Sequence, residues 1–152
     1  MLQLAKTIVI QRPIEEVFDV ATCLRRCVVW SAPIVETRMI SDGPARVGAE
    51  YEHTMSLFGR TFKTNPVITR WDPPRASEYA STKGPMPVRV TFELETVGDS
   101  TELTTIYEAE VPNWVREIGA PLLRKMLQRQ YEADLETLKE LLESRTPVVA
   151  PN

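Results

Sequence analysis

A chain of 152 residues with a formal net charge of −3 and no concentrated basic run lacks the electrostatic footprint of a nucleic-acid binder. Hydrophobic content of 43% and charged content of 26% suit a folded globular protein, expected as one domain over residues 1–145 with a flexible tail at 146–152. No apolar run approaches the roughly 20 residues of a membrane span. The opening MLQLAKTIVIQRP has no basic segment followed by an apolar stretch and a cleavage site, so a cytoplasmic protein without a membrane partner is expected.

Residues 3–11 end in a β-branched run and predict a first strand. Pro13, followed by Glu15 and Glu16, suits a helix start, where the dipole favours negative charge. Ile14, Val17, Phe18 and Ala21 recur at helical spacing, and a second short helix is expected over 24–29. Cys23 and Cys27 are the only cysteines. Their spacing matches neither a redox pair nor half of a zinc site, so both are read as small buried apolar residues.

From Ile34 the period changes to two, predicting strands at 35–41, 49–57, 61–71 and 76–82. Tyr51, His53, Met55 and Leu57 share one face of the second of these. Asn65-Pro66 signals a bulge or an edge, which leaves the inward parity of Arg70, Trp71 and Tyr79 open. Lys83-Gly84-Pro85-Met86-Pro87 reads as a loop. Val88, Val90, Phe92 and Leu94 then alternate with Arg89, Thr91, Glu93 and Glu95, and Leu103, Thr105, Tyr107 and Ala109 form one face of the strand at 101–110. Such alternation marks antiparallel strands with one wet face. Asn113 is expected to cap a helical segment over 114–118, and Gly119 with Pro121 to interrupt it.

Pro121–Ser144 is the most strongly patterned stretch, predicting a helix roughly 36 Å long. Leu123, Leu127, Tyr131, Leu135, Leu138, Leu141 and Leu142 collect on one stripe. Asp134 falls on the same side, either at the stripe's edge or as a carboxylate facing a pocket. An antiparallel sheet with one apolar face has only this helix to cover it, which gives an α+β fold of about seven strands.

The element order resembles the START and Bet v 1-like helix-grip superfamily (SRPBCC), including its small polyketide cyclase/dehydratase-like members, over roughly residues 3–144. Supporting local features are Pro13, Trp30, Ser41-Asp42-Gly43-Pro44 with Val47-Gly48, Trp71-Asp72-Pro73-Pro74-Arg75 and the leucine-rich ending at 135–143. The resemblance implies a curved sheet gripping the long helix around a cavity for a hydrophobic or aromatic molecule, while fold by itself does not choose the function.

The residues expected to line that cavity are Tyr51, His53, Met55, Phe92, Leu103, Thr105, Tyr107, Leu127, Tyr131 and Asp134. Its wall is expected to be mostly apolar and its volume several hundred Å3. His53, the only histidine, is either a satisfied core residue or a ligand-orienting group and general base. Tyr107 and Asp134 are the other candidate acid–base groups. No phosphate loop, nucleophile elbow or metal-spaced cluster is present, so no metal or other cofactor is expected. Three readings follow in order: a noncatalytic binder of a small hydrophobic or aromatic molecule, a cyclase/dehydratase-like enzyme, and a protein-interaction module. Each is compatible with a monomer or a homodimer.

Overall fold

A computed structural model of the protein describes residues 2–144; the tail expected at 146–152 lies outside them. Strand β1 (Leu2–Ile10) leads into helix α1 (Ile14–Ala21) and a single 3-10 turn at Cys27–Val29. Strands β2 (Ile34–Met39), β3 (Tyr51–Leu57), β4 (Arg60–Thr64), β5 (Val67–Asp72), β6 (Ala76–Ser81), β7 (Val88–Val97) and β8 (Ser100–Ala109) follow. A short α2 (Asn113–Arg116) precedes the long α3 (Ala120–Glu143). This is the expected α+β helix-grip arrangement.

Every strand pair is antiparallel, in two groups ordered β1-β8-β7-β6-β5 and β2-β3-β4. The stretch 61–71 is two strands rather than one, because Pro66 has no N–H to give to a ladder. Both pieces nevertheless run along the same edge of β3. β4 pairs with its second half, while Ile68 N–H reaches the Ala49 carbonyl at 3.0 Å and Tyr51 N–H reaches the Pro66 carbonyl at 2.9 Å. At the break Asn65 repairs the ladder, its side-chain amide donating to the Tyr51 carbonyl and its N–H to Ser81 Oγ, both at 2.7 Å. The two groups therefore join into one curved surface.

Pro13 stands one position ahead of α1, with Glu15 and Glu16 in the first turn as the dipole favours. The helix expected over 24–29 shrinks to its last three residues. Asn113 is the first helical residue of α2 and makes no side-chain cap; Pro112 holds the capping position. Gly119 separates α2 from α3 at φ 97°, a left-handed value that costs glycine little. On α3, Leu123, Leu135, Leu138 and Leu142 are buried against the core. Its far end is fastened to the β1–α1 connection, where Arg12 Nε donates to the Leu142 carbonyl at 2.9 Å and Gln11 N–H to Glu143 Oε2 at 2.8 Å. The Arg12 bond satisfies one of the last carbonyls, which have no partner within the helix.

Candidate functional site

Under the other half of α3 the stripe loosens: Leu127 and Tyr131 are only half-buried. A cavity of about 100 Å3 lies there. α3 supplies Leu127, Gln130, Tyr131, Asp134 and Leu135; the sheet supplies Leu2, Leu4, Tyr79, Val90, Phe92, Thr105 and Tyr107; the segment after the 3-10 turn supplies Trp30, Ser31, Pro33 and Ile34. The wall is predominantly apolar. The volume is smaller than expected, because five aromatic side chains (Trp30, Tyr79, Phe92, Tyr107 and Tyr131) fill much of the space between the sheet and α3. A groove of about 340 Å3 outside it shares Pro33, Leu57, Leu127 and Gln130 with the cavity and adds the exposed Val35, Phe58 and Met126.

Several polar groups of the wall lie on or against α3. The Thr105 and Tyr131 hydroxyls share a hydrogen bond across the space between β8 and the helix. The Tyr107 and Tyr131 rings sit 5.9 Å apart at 56°, the offset geometry aromatic pairs prefer. One turn along, Asp134 is buried at 7% exposure. Its Oδ1 accepts from the Gln130 amide at 2.8 Å and from Ala32 N–H at 3.2 Å, tying the helix to the segment that carries Trp30 and Pro33. Asp134 Oδ2 has no protein partner among the described residues.

Burial raises the Asp134 carboxyl above its ordinary 3.8, against the lowering effect of the Ala32 and Gln130 bonds. Desolvation acts the same way on the phenols. Tyr131 is pushed up to about 12, with the Thr105 bond opposing, and Tyr107 and Tyr79 also rise. The Cys27 thiol, on the same wall, is pushed up to about 12 by burial and then by Cys23. It is therefore a neutral apolar surface at neutral pH rather than a nucleophile. Cys23 is half-buried.

Of the ten residues expected to line the cavity, Phe92, Thr105, Tyr107, Leu127, Tyr131 and Asp134 do so. Tyr51, His53, Met55 and Leu103 do not. Leu103 is fully buried in the sheet core, in register between Ile8 and Leu94. The inward parity of β3 is as expected, with Tyr51, His53, Met55 and Leu57 all buried, but only Leu57 reaches the cavity. Tyr51 instead lines a broad open cleft of about 890 Å3 beside α1, with Phe18, Cys23 and Trp71.

His53 stands behind the cavity wall. Its Nε2 pairs with the Leu24 carbonyl at 3.3 Å, and its ring lies edge-on to Tyr79 at 6.1 Å. Desolvation pulls it from 6.5 down to about 4, with the Leu24 bond opposing. It is a neutral core histidine, so the general-base role entertained for it has no route to the cavity.

Sequence reasoning missed Trp30, Tyr79 and Met86. Met86 is buried at 4% at the tip of the Gly-Pro loop. That loop passes so close to β4 that a Cβ on Gly84 would meet the Lys63 carbonyl oxygen at 2.6 Å. A lone apolar residue among breakers was the available signal. Tyr79 was obscured by the Asn65-Pro66 break, which left its parity open. Among the described residues no group of three or more His, Cys, Asp or Glu converges as a metal site, and no helix is long and apolar enough to cross a membrane.

A sheet folded around one long helix, with a largely apolar hollow between them, defines a helix-grip protein. The sequence matches the polyketide cyclase/dehydrase and lipid transport family over residues 1–143, and the chain belongs to that family. Solved structures show the same fold. TTHA0849 from Thermus thermophilus superposes with a TM-score of 0.77 at 17% identity, over 92% of this chain and 96% of that one. A START superfamily protein from Mycobacterium smegmatis gives 0.76 at 14% identity, over 95% and 99%. The di-domain ARO/CYC StfQ from the steffimycin biosynthetic pathway gives 0.67 at 15% identity, over 92% of this chain and 44% of that chain. No curated protein matches the sequence.

Proposed function

We propose that this protein binds a small hydrophobic or aromatic molecule in the cavity between α3 and the sheet. The observation that carries this reading is a predominantly apolar hollow with a few polar groups on its wall, among them the Thr105–Tyr131 pair and Asp134. Well-packed cores do not leave such a hollow without cause. An engineered dry cavity of about 150 Å3 accepts one benzene. A cavity of about 100 Å3 therefore takes a single ring once the half-buried Leu127 and Tyr131 move slightly outward. The adjoining groove offers space for a substituent that extends past Gln130. Membership of a family described by lipid transport and by cyclase/dehydrase chemistry supports a ligand of this kind. Native mass spectrometry of freshly purified protein should show a retained mass that denaturing conditions release. A protein that carries no ligand and takes up no aromatic probe would overturn the reading.

A cyclase/dehydratase-like activity is the second reading, and one observation favours it. Asp134 is a carboxyl on the cavity wall whose pKa burial raises, the direction in which a carboxylic general acid or base is tuned. The test is exchange of the methyl protons of acetophenone in deuterated buffer. Exchange faster than in buffer alone, lost in Asp134→Asn, supports acid–base work. Equal rates with and without protein leave the binder alone standing.

A further inference from the structure

The charge inventory of the cavity wall restricts the head group of what it binds, given the binding reading above. Among the described residues no lysine, arginine or histidine lines the cavity, and Asp134 is its one carboxyl. The single histidine, His53, packs edge-on against Tyr79 and bonds the Leu24 carbonyl. A ligand carboxylate would thus enter a low-dielectric space that holds a second carboxyl and no countercharge. Burial of an uncompensated ion is strongly unfavourable there.

The hydrogen-bonding inventory supplies the positive half of the argument. Asp134 Oδ1 is committed to Gln130 and Ala32, which fixes the carboxyl in orientation. Oδ2 has no protein partner among the described residues and is the free acceptor of the carboxylate form. The Tyr79 and Tyr107 hydroxyls and the buried Trp30 indole N–H also have no protein hydrogen bond among the described residues, and all three residues line the cavity. A phenol has the complementary faces: an apolar ring, an O–H to donate to a carboxylate and an oxygen to accept from a tyrosine. An ammonium group donates only, and would leave those tyrosine hydroxyls without an acceptor.

We infer that the cavity selects a neutral, hydroxyl-bearing aromatic molecule over a carboxylate built on the same ring, with Asp134 as the acceptor of the hydroxyl. The test is calorimetric or NMR-detected binding of toluene, 4-methylphenol, 4-methylbenzoate and 4-methylbenzylamine, probes that share one ring. With the intact protein, 4-methylphenol should bind about tenfold more tightly than toluene, the value of one hydrogen bond to a charged acceptor. The benzoate should bind more weakly than toluene, and the amine more weakly than the phenol.

In Asp134→Asn the side-chain oxygen can keep the Ala32 and Gln130 bonds, while an N–H2 donor replaces the free acceptor. The phenol should then lose its advantage and the benzoate should gain. Should that variant not fold, the four affinities of the intact protein decide alone. Toluene bound as tightly as 4-methylphenol, or the benzoate bound best, overturns the inference while leaving the binding reading in place. An amine that outranks the phenol would reassign the site to a cation. Failure of all four to bind removes both.

Discussion

The two halves of α3 carry the same apolar stripe and do different things with it. From Asp134 to Leu142 the stripe is closed: Leu135, Leu138 and Leu142 are at most 1% exposed, and Arg12 and Gln11 fasten the end. From Ala120 to Tyr131 only Leu123 is buried. Leu127 and Tyr131 stand half-open over the cavity, and the outer flank exposes Leu122 and Met126. One helix thus holds the sheet with one end and roofs a hollow with the other. Such a division lets a binding region yield without loosening the fold, since local stability follows local packing.

The largest effect should separate the halves directly. Leu138→Ala removes a side chain with no exposed surface and should cost about 2–5 kcal/mol. Leu127→Ala should cost markedly less, and should alter uptake of an aromatic probe instead. Urea denaturation of both variants checks this. Equal shifts of the two midpoints would mean that the roof is as firmly packed as the anchor, and the comparison would fail.

The packed side of the molecule also holds the histidine, and acid should find it. His53 titrates near 6.5 when free and is held at about 4 by burial in the fold. Between those values the unfolded chain binds a proton that the folded protein refuses. The stability contribution is therefore fully present above about pH 6.5 and is lost as pH falls toward 4. The loss amounts to roughly 3 kcal/mol by linkage. An NMR titration of the imidazole should show no protonation at pH 5.5, and urea midpoints should fall between pH 7 and pH 4.5. A histidine that titrates near 6.5 in the folded protein would show that it is reached by water.

Much of the frame was legible in the sequence because the chain marks it in short-range terms. Period-two runs gave the strands, Gly119 with Pro121 gave the break before α3, and the leucine spacing gave the buried stripe. Element order then implied the helix-grip fold. The cavity was legible only in part, for a physical reason. Alternation tells which face of a strand is inward, and β3 does turn Tyr51, His53 and Met55 inward. It does not tell what lies opposite. The segment around Leu24 and the ring of Tyr79 fill that space, so inward there means core. Thr105, Tyr107, Tyr131 and Asp134 were found because a helix face and a strand face converge on them. Met86 and Trp30 come from irregular backbone, where no period exists to be read.

A smaller effect probes the roof itself. Tyr131→Phe keeps the ring over the cavity and removes the hydroxyl shared with Thr105, leaving Thr105, 1% exposed, without that partner. The cost should be about 1 kcal/mol. Tyr107→Phe is the matched control. Its hydroxyl has no protein partner among the described residues, so its midpoint should barely move. Reversed magnitudes would show that the bond between β8 and α3 does not hold the roof in place.

The smallest effect, and the finest test of the comparison, is Asp134→Asn at the junction of the two halves. Burial raises the Asp134 carboxyl above its ordinary 3.8, so the fold favours its protonated form more than the unfolded chain does. Its contribution is therefore greatest below 3.8 and declines as pH rises through the raised value, opposite in sign to that of His53. In the intact protein the two trends partly cancel in mild acid. Asparagine cannot titrate, yet its oxygen can accept from Ala32 and Gln130. The variant should be at least as stable at pH 7, and its stability should fall more steeply toward pH 4, because the His53 trend is no longer opposed by Asp134. Paired urea midpoints at pH 7 and pH 4 read this difference. A variant less stable at pH 7, with the same acid slope as the intact protein, would mean that the charge itself is a net favourable part of the wall. The junction would then belong to the anchor rather than to the cavity.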